Sequence, residues 1–251
     1  MQGGQYISQN EKATPAHTMA NSIPPAAPPR HWLILDAWAP ELDAFKAALP
    51  TLRRDRSRTF SVAEIGVGLV AAAVGATLAI AKAKPDAVIL IGTAGWLKGK
   101  DRAPMLGTAH VIDKAAIPPD LSNGIHAYLP DLIHAELRCD PGLTRLFLQD
   151  SHHPLSVVCP LGITKSRVAA RNLLRSTNAQ LENLEAYAVL LAAQAARIPS
   201  TAILGIANHV GPEGHQQWKK YGQQAAAAAC DLAVNAFMGM PGSRAIKAKN
   251  R

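Results

Sequence analysis

The chain is poor in cysteine and in aromatic residues, and both shortages exclude something. Its three cysteines, Cys139, Cys159 and Cys230, are odd in number, far apart and free of any CxxC or Cys/His ligand spacing. A disulfide framework and a structural metal site are set aside, and reduced thiols in a cytoplasm are expected. Aromatics make up 5% of the 251 residues while 48% are hydrophobic, with alanine dominant; this favours closely packed helices over a β-sandwich. The N-terminus has no basic stretch followed by an apolar run, so no secretory signal is expected. Residues 62–81 have about the length of a membrane span, but Glu64 interrupts them and their many Gly and Ala residues insert weakly. A full Gly-x-Gly-x-x-Gly fingerprint is also missing, because Ala71 stands at the last position after Gly66 and Gly68. No Rossmann cofactor, and no cofactor of any kind, is expected.

The formal charge of +8 comes from scattered groups: Arg53, Arg54, Arg56 and Arg58; Lys98, Lys100 and Arg102; and Arg244, Lys247, Lys249 and Arg251 at the tail. No aromatics interleave them to stack bases. They read as solvated faces and tails, with neither nucleic acid nor membrane as partner. The pair His152-His153 has no second ligand pair at helical or hairpin spacing and reads as loop.

What is present is organised around residues 85–97, Pro-Asp-Ala-Val-Ile-Leu-Ile-Gly-Thr-Ala-Gly-Trp-Leu. The bulky apolar run predicts a strand buried on both faces and ending on glycine. Gly92 and Gly95 on either side of Thr93 would let a ligand approach the main-chain amides and the Thr93 hydroxyl at the strand's carboxyl end. Residues 1–30, rich in Gln, Asn, Ala and Pro, read as a disordered extension. Residues 31–240 form one domain, and 241–251 a basic tail. Strand 31–36 leads to a helix over 41–49, where Pro40 and Glu41 suit a first turn. Strand 59–65, the Gly66-Val67-Gly68 turn, helix 69–82 and the organising strand make a βαβ unit with a parallel pair. Further on, the pattern predicts a strand at 108–113, a loop at 117–124, a short helix at 141–149, a strand at 156–159 and a basic amphipathic helix at 165–174. Residues 182–196 read as a helix containing Glu185, whose apolar neighbours imply a partly buried carboxylate. Strand 201–206 ends on Ala207-Asn208-His209-Val210-Gly211, and an Ala-rich helix over 215–237 carries Trp218 and Tyr221.

Four of these stretches, in this order, resemble the purine nucleoside phosphorylase and nucleosidase superfamily over roughly residues 31–236. They are Gly66-Val67-Gly68-Leu69-Val70-Ala71-Ala72, the Gly-Thr-Ala-Gly-x-Leu of residues 92–97, Glu182-Asn183-Leu184-Glu185-Ala186-Tyr187-Ala188, and Ile203-Leu204-Gly205-Ile206-Ala207-Asn208. The Gly-Ile-Ala-Asn-x-Val-Gly run of residues 205–211, followed by a Trp in the last helix, is most similar to futalosine-hydrolase-type nucleosidases. The resemblance implies an α/β fold, a three-layer α/β/α sandwich around a mixed central sheet, with a pocket for a small-molecule nucleoside and assembly as a homo-oligomer. It implies that Glu185 accepts hydrogen bonds from the ribose hydroxyls, with Leu184 in place of the usual Met. Gly68, Thr93, Ala94 and Gly95 would line the sugar or nucleophile region, and Asn208 would contact the purine base, which favours a 6-oxopurine.

The departures from the family pattern matter as much. The phosphorylases use an early Gly-Asp-x-x-Arg-type loop and an Arg three residues before the Ser/Thr of the glycine motif; here the first loop reads Asp36-Ala37-Trp38-Ala39-Pro40 and the second position is Leu90. Without those guanidiniums a phosphate dianion lacks its paired bonds, so water is the expected nucleophile. Glu41, one place out of register, is the candidate to activate it. The expectation is an N-ribosyl hydrolase acting on a purine nucleoside or a modified one. Two alternatives stay open: a phosphorylase whose phosphate is held by Lys98 or by an Arg of a neighbouring subunit, and a catalytically silent nucleoside-binding protein.

Overall fold

The computed structural model describes residues 28–97, 105–118, 133–148 and 153–240. Most of the expected N-terminal extension, the C-terminal tail, the Lys98, Lys100 and Arg102 group, His152 and most of the 117–124 loop lie outside the described residues. In chain order the elements are β1 (His31–Asp36), a 3-10 turn (Ala39–Leu42), α1 (Asp43–Leu52), β2 (Thr59–Glu64), α2 (Leu69–Ala83), β3 (Ala87–Trp96), β4 (Ala109–Ala116) and β5 (Glu136–Arg138). There follow α3 (Pro141–Phe147), β6 (Leu155–Val158), α4 (Arg167–Thr177), β7 (Leu181–Glu182), α5 (Ala186–Ala195), β8 (Ser200–His209) and α6 (Gly214–Gly239).

The sheet is mixed. β2, β1 and β3 run parallel, and β3 continues to β8 in parallel. β8 is antiparallel to β4, β4 is parallel to β6, β6 is parallel to β7, and β7 returns antiparallel to β3. Strands β3, β8, β4, β6 and β7 therefore close a ring at one end of the sheet. Alternation along the strands supplies the layers. Leu33, Leu35, Val88 and Leu90 face a core with residues of α2 and α5. Trp32, Ile34, Ile89 and Ile91 face the opposite core, with Phe45, Phe147 and Phe237. All four phenylalanines gather there with Trp32, edge to face around Phe237 at 4.9–6.2 Å, one aromatic cluster on this face of the sheet. This is the three-layer α/β/α sandwich around a mixed sheet.

Alanine does the packing elsewhere. Ala225, Ala229 and Ala233 are buried along α6, and that face comes so close to β8 that a Cβ on Gly205 would lie 2.0 Å from the Ala225 carbonyl oxygen. Only glycine permits that approach.

Three expectations need correction. β3 does not end on glycine but runs through Gly92 and Gly95 to Trp96, because β8 and β7 go on pairing with it. β8 likewise extends to His209, past Ile206. The 182–196 stretch is not one helix: Leu181 and Glu182 pair with β3 and β6, and α5 begins only at Ala186, with Glu185 at its N-cap. Tertiary pairing overrides the helical propensity of that segment. Among the described residues no helix is long and apolar enough to cross a membrane.

Replacing Gly205 by Ala should separate α6 from β8. Urea unfolding should show a loss of about 3 kcal/mol, the upper end for overpacking. Gly239→Ala, whose Cβ would meet nothing within 4 Å, should leave stability unchanged or slightly raised.

Candidate active site

The site forms where one edge of β3 loses its neighbour. β1 pairs with β3 as far as Leu90, and β7 takes over at Gly95. Between them the Thr93 peptide faces a gap, and buried peptide groups must find partners. Two side chains supply them. The Thr93 N–H donates to Glu41 Oε1 at 3.0 Å, and its carbonyl accepts from Asn183 Nδ2 at 3.0 Å. The Thr93 hydroxyl donates to the same Glu41 oxygen at 2.8 Å and lies 3.3 Å from Trp218 Nε1 of α6, which donates to it.

Glu41 is aimed by its local chain. Pro40 lies in the 3-10 turn, the Glu41 N–H donates to Trp38 O, and Cys230 Sγ donates to Glu41 O at 3.2 Å. Gly92 leaves room, since a Cβ there would stand 3.4 Å from Glu41 Oε2. Burial pushes the Glu41 carboxyl up to about 7, against the hydrogen bonds from Thr93 and with help from the charge of Glu185.

Glu185 does not face solvent: it is buried, with 5% of its surface exposed. Gly68 N–H donates to its Oε1 at 2.8 Å, while Asn183 Nδ2 and Leu184 N–H donate to Oε2 at 2.9 and 3.2 Å. Gly68 holds φ of 90°, a left-handed conformation that favours glycine. Burial raises the Glu185 pKa and these donors lower it, so the carboxylate is bound on a scaffold of fixed N–H groups.

Asn208 arrives from β8. Ala94 pairs with Ile206 but Gly95 pairs with Asn208, a one-residue bulge that turns Asn208 toward the β3 end. A Cβ on Gly95 would lie 2.9 Å from Asn208 Nδ2 and 2.7 Å from Val210 Cγ2. Asn208 Nδ2 donates to His209 O at 3.0 Å, which leaves Oδ1 as the acceptor end of the amide. Thr93, Glu41, Glu185, Gly68, Leu184, Gly95 and Asn208 are thus assembled at one end of β3. Ala94 is different: its methyl packs in the α2/α5 core, so it can offer a ligand only main chain.

Two members of the cluster escaped sequence reasoning. Asn183 is the hub, bridging Thr93 and Glu185 with its amide hydrogens while its Oδ1 accepts from Glu185 N–H and Ala186 N–H at 2.9 and 2.8 Å. An Asn just before an apolar helical run is the signal that could have marked it. Asp36, at the end of β1, is fully buried, and neither carboxylate oxygen has a hydrogen-bond partner among the described residues. Burial raises its pKa to about 6, against the attraction of Lys46. Among the described residues no group of three or more His, Cys, Asp or Glu is placed to hold a metal ion.

Comparison with known proteins places this geometry among relatives. The family model described as the phosphorylase superfamily matches residues 44–238, beginning just after Glu41. A search of the curated proteins found no match. Among solved structures, futalosine hydrolase of Helicobacter pylori strain 26695 is similar with a TM-score of 0.71 at 13% identity, over 83% of this chain and 97% of that one. The 5′-methylthioadenosine/S-adenosylhomocysteine nucleosidase of the same organism gives 0.71 at 15% identity, over 84% and 99%. The S-adenosylhomocysteine nucleosidase of Streptococcus pyogenes gives 0.73 at 15% identity, over 86% and 99%.

The Glu41 carboxyl ionises near 4.5 when free of its surroundings and near 7 in the fold. Between these values the folded chain keeps a proton that the unfolded chain releases, so this contribution to stability is complete below about pH 4.5 and is lost as pH rises through about 7. Glu41→Gln, which stays neutral, should therefore gain stability relative to the unsubstituted protein as pH goes from 5 to 8. Urea unfolding across that range checks it, and a difference independent of pH would mean that Glu41 is solvated.

Proposed function

The chain belongs to the phosphorylase superfamily, and we propose that within it this protein is an N-ribosyl hydrolase, a nucleosidase cleaving the glycosidic bond of a purine nucleoside or a modified one. The observation that carries this reading is the Glu41 carboxylate bonded to both the N–H and the O–H of Thr93. Those are the donors an attacking phosphate would need, and a carboxylate beside them repels a dianion. The position three residues before Thr93 holds Leu90, buried in the core, so that position supplies no guanidinium to offset the repulsion. A neutral water fits where an anion does not. The similar solved structures include a futalosine hydrolase and two nucleosidases, but at 13–15% identity they establish the fold, and the argument rests on the site.

Glu41 acts as general base on the water, its pKa already near the working pH. Cleavage passes through a sugar with oxocarbenium character, which a fixed carboxylate at the ribose diol stabilises. Glu185 has that role: its oxygens are positioned by Gly68, Leu184 and Asn183 before any substrate arrives, so little reorganisation is needed. Asn208 contacts the base. As an amide it cannot supply a proton as an acid does, but its Oδ1 accepts from a purine protonated at N7. The protein acts as a cytoplasmic homo-oligomer in this reading. Its three buried free cysteines fit a reducing compartment, and exposed Val70, Val74 and Leu78 form an apolar stripe along α2 beside Gly68 of the kind that subunits cover.

Incubation with a nucleoside panel should release free base at the same rate with and without phosphate; formation of ribose 1-phosphate would instead identify a phosphorylase. Glu185→Ala should lower kcat/KM well over tenfold, in line with an electrostatic contribution of about 2–4 kcal/mol, and an unchanged rate would remove Glu185 from the mechanism. For the unsubstituted enzyme kcat/KM should climb with pH through about 7 as Glu41 loses its proton, a limb that Glu41→Gln abolishes together with most of the activity.

A further inference from the structure

Beyond Asn208 the chain builds a second recess. A pocket of about 500 Å³ lies between the first turns of α4 and α6 and the end of β8, large enough for part of a small molecule. Its polar side chains are almost all donors. Arg167 and Arg171 stand one helical turn apart and both line it. Arg171 has no hydrogen-bond or ion-pair partner among the described residues, and Arg167 meets only Glu213 at 3.7 Å in a pair exposed on both sides, which holds a guanidinium weakly. The Gln217 carbonyl oxygen accepts from the His209 N–H at 2.8 Å, so the amide presents its NH₂ end. The His209 ring also lines the recess and always carries at least one N–H. Glu213 is the one carboxylate at the rim, and no side chain caps the first turn of α6, so its positive end faces the same space. Ala170 and Val210 supply an apolar floor.

The recess adjoins the Asn208 end of the site, because Val210, which lines it, stands beside Asn208 over Gly95. The geometry points to an anion subsite: the leaving group of the substrate carries a carboxylate or a phosphate that the forks of Arg167 and Arg171 clasp, with the His209 ring and the Gln217 amide as further donors. This inference rests on the nucleosidase reading for the placement of the base. Paired guanidiniums whose one carboxylate neighbour, Glu213, is held weakly match planar or tetrahedral oxyanions through charge-assisted bonds. The net charge of +8 favours the arrival of an anionic ligand.

The experiment compares matched probes, purine-6-carboxylate and purine-6-carboxamide, by calorimetric titration of the full chain. The carboxylate should bind at least tenfold more tightly, and Arg171→Gln, an exposed position that leaves the core untouched, should erase the difference while preserving affinity for the carboxamide. Equal affinities, or a preference that survives both Arg171→Gln and Arg167→Gln, would overturn the subsite while leaving the nucleosidase reading intact. Failure of either purine to bind, with no base released from any nucleoside, would overturn both. Inorganic phosphate separates the sources: displacement of the bound carboxylate at millimolar phosphate assigns a phosphoryl group, and retention assigns a carboxylate.

Discussion

The main chain of one residue, Thr93, holds the site together. It sits on the edge of β3 where β1 has stopped pairing and β7 has not yet begun. A buried N–H and C=O left unpaired there would each cost about 1–3 kcal/mol, and the chain meets that demand with Glu41 and Asn183 instead of a further strand. The same two residues carry the chemistry outward. Glu41 becomes a buried carboxylate at the strand end, and Asn183 passes its second amide hydrogen to Glu185. An interruption in the sheet thus gathers two carboxyls and an amide around one strand.

The cost of that arrangement is electrostatic. Asp36, Glu41 and Glu185 are carboxyls within one buried region, and the charge of each of the other two raises the pKa of Glu41. Burial is the leading cause for all three. The compensation is unequal. Glu185 has three N–H donors and Glu41 has the Thr93 pair, while Asp36 has only the distant attraction of Lys46. A Glu41 carboxyl poised near neutrality and a Glu185 carboxylate held by three fixed donors follow from this difference.

Much of this was legible from residue patterns. The apolar run before Gly92, the Gly66-Val67-Gly68 turn with its Ala-rich helix and the strand leading to Asn208 all reflect local periodicity, which burial on one or both faces imposes directly. The candidate residues Glu185, Thr93 and Asn208 were readable for the same reason, since each ends or follows a strongly patterned element. Where reading by pattern failed, a long-range partner had intervened. Glu182 looks helical beside Ala186 to Ala196, yet it pairs with Gly95 and Val158. Glu41, one place out of register with the family's loop, nonetheless reaches Thr93, because a 3-10 turn and the Cys230 contact set its direction.

The sequence by itself determined the α/β class, the order of the elements, the Gly66-Val67-Gly68 turn and most of the polar side chains that gather at the end of β3, because these depend on periodicity and residue chemistry over a few turns of chain. Only the tertiary structure decided that β3 would be left open at Thr93, that Asn183 would bridge Thr93 and Glu185, that Asp36 would be buried with no hydrogen-bond partner among the described residues, and that two arginines of α4 would line a recess beside the end of β8. Each of those rests on contacts between separate stretches of chain or on strand register, and no local pattern encodes which edge of a strand finds a neighbour.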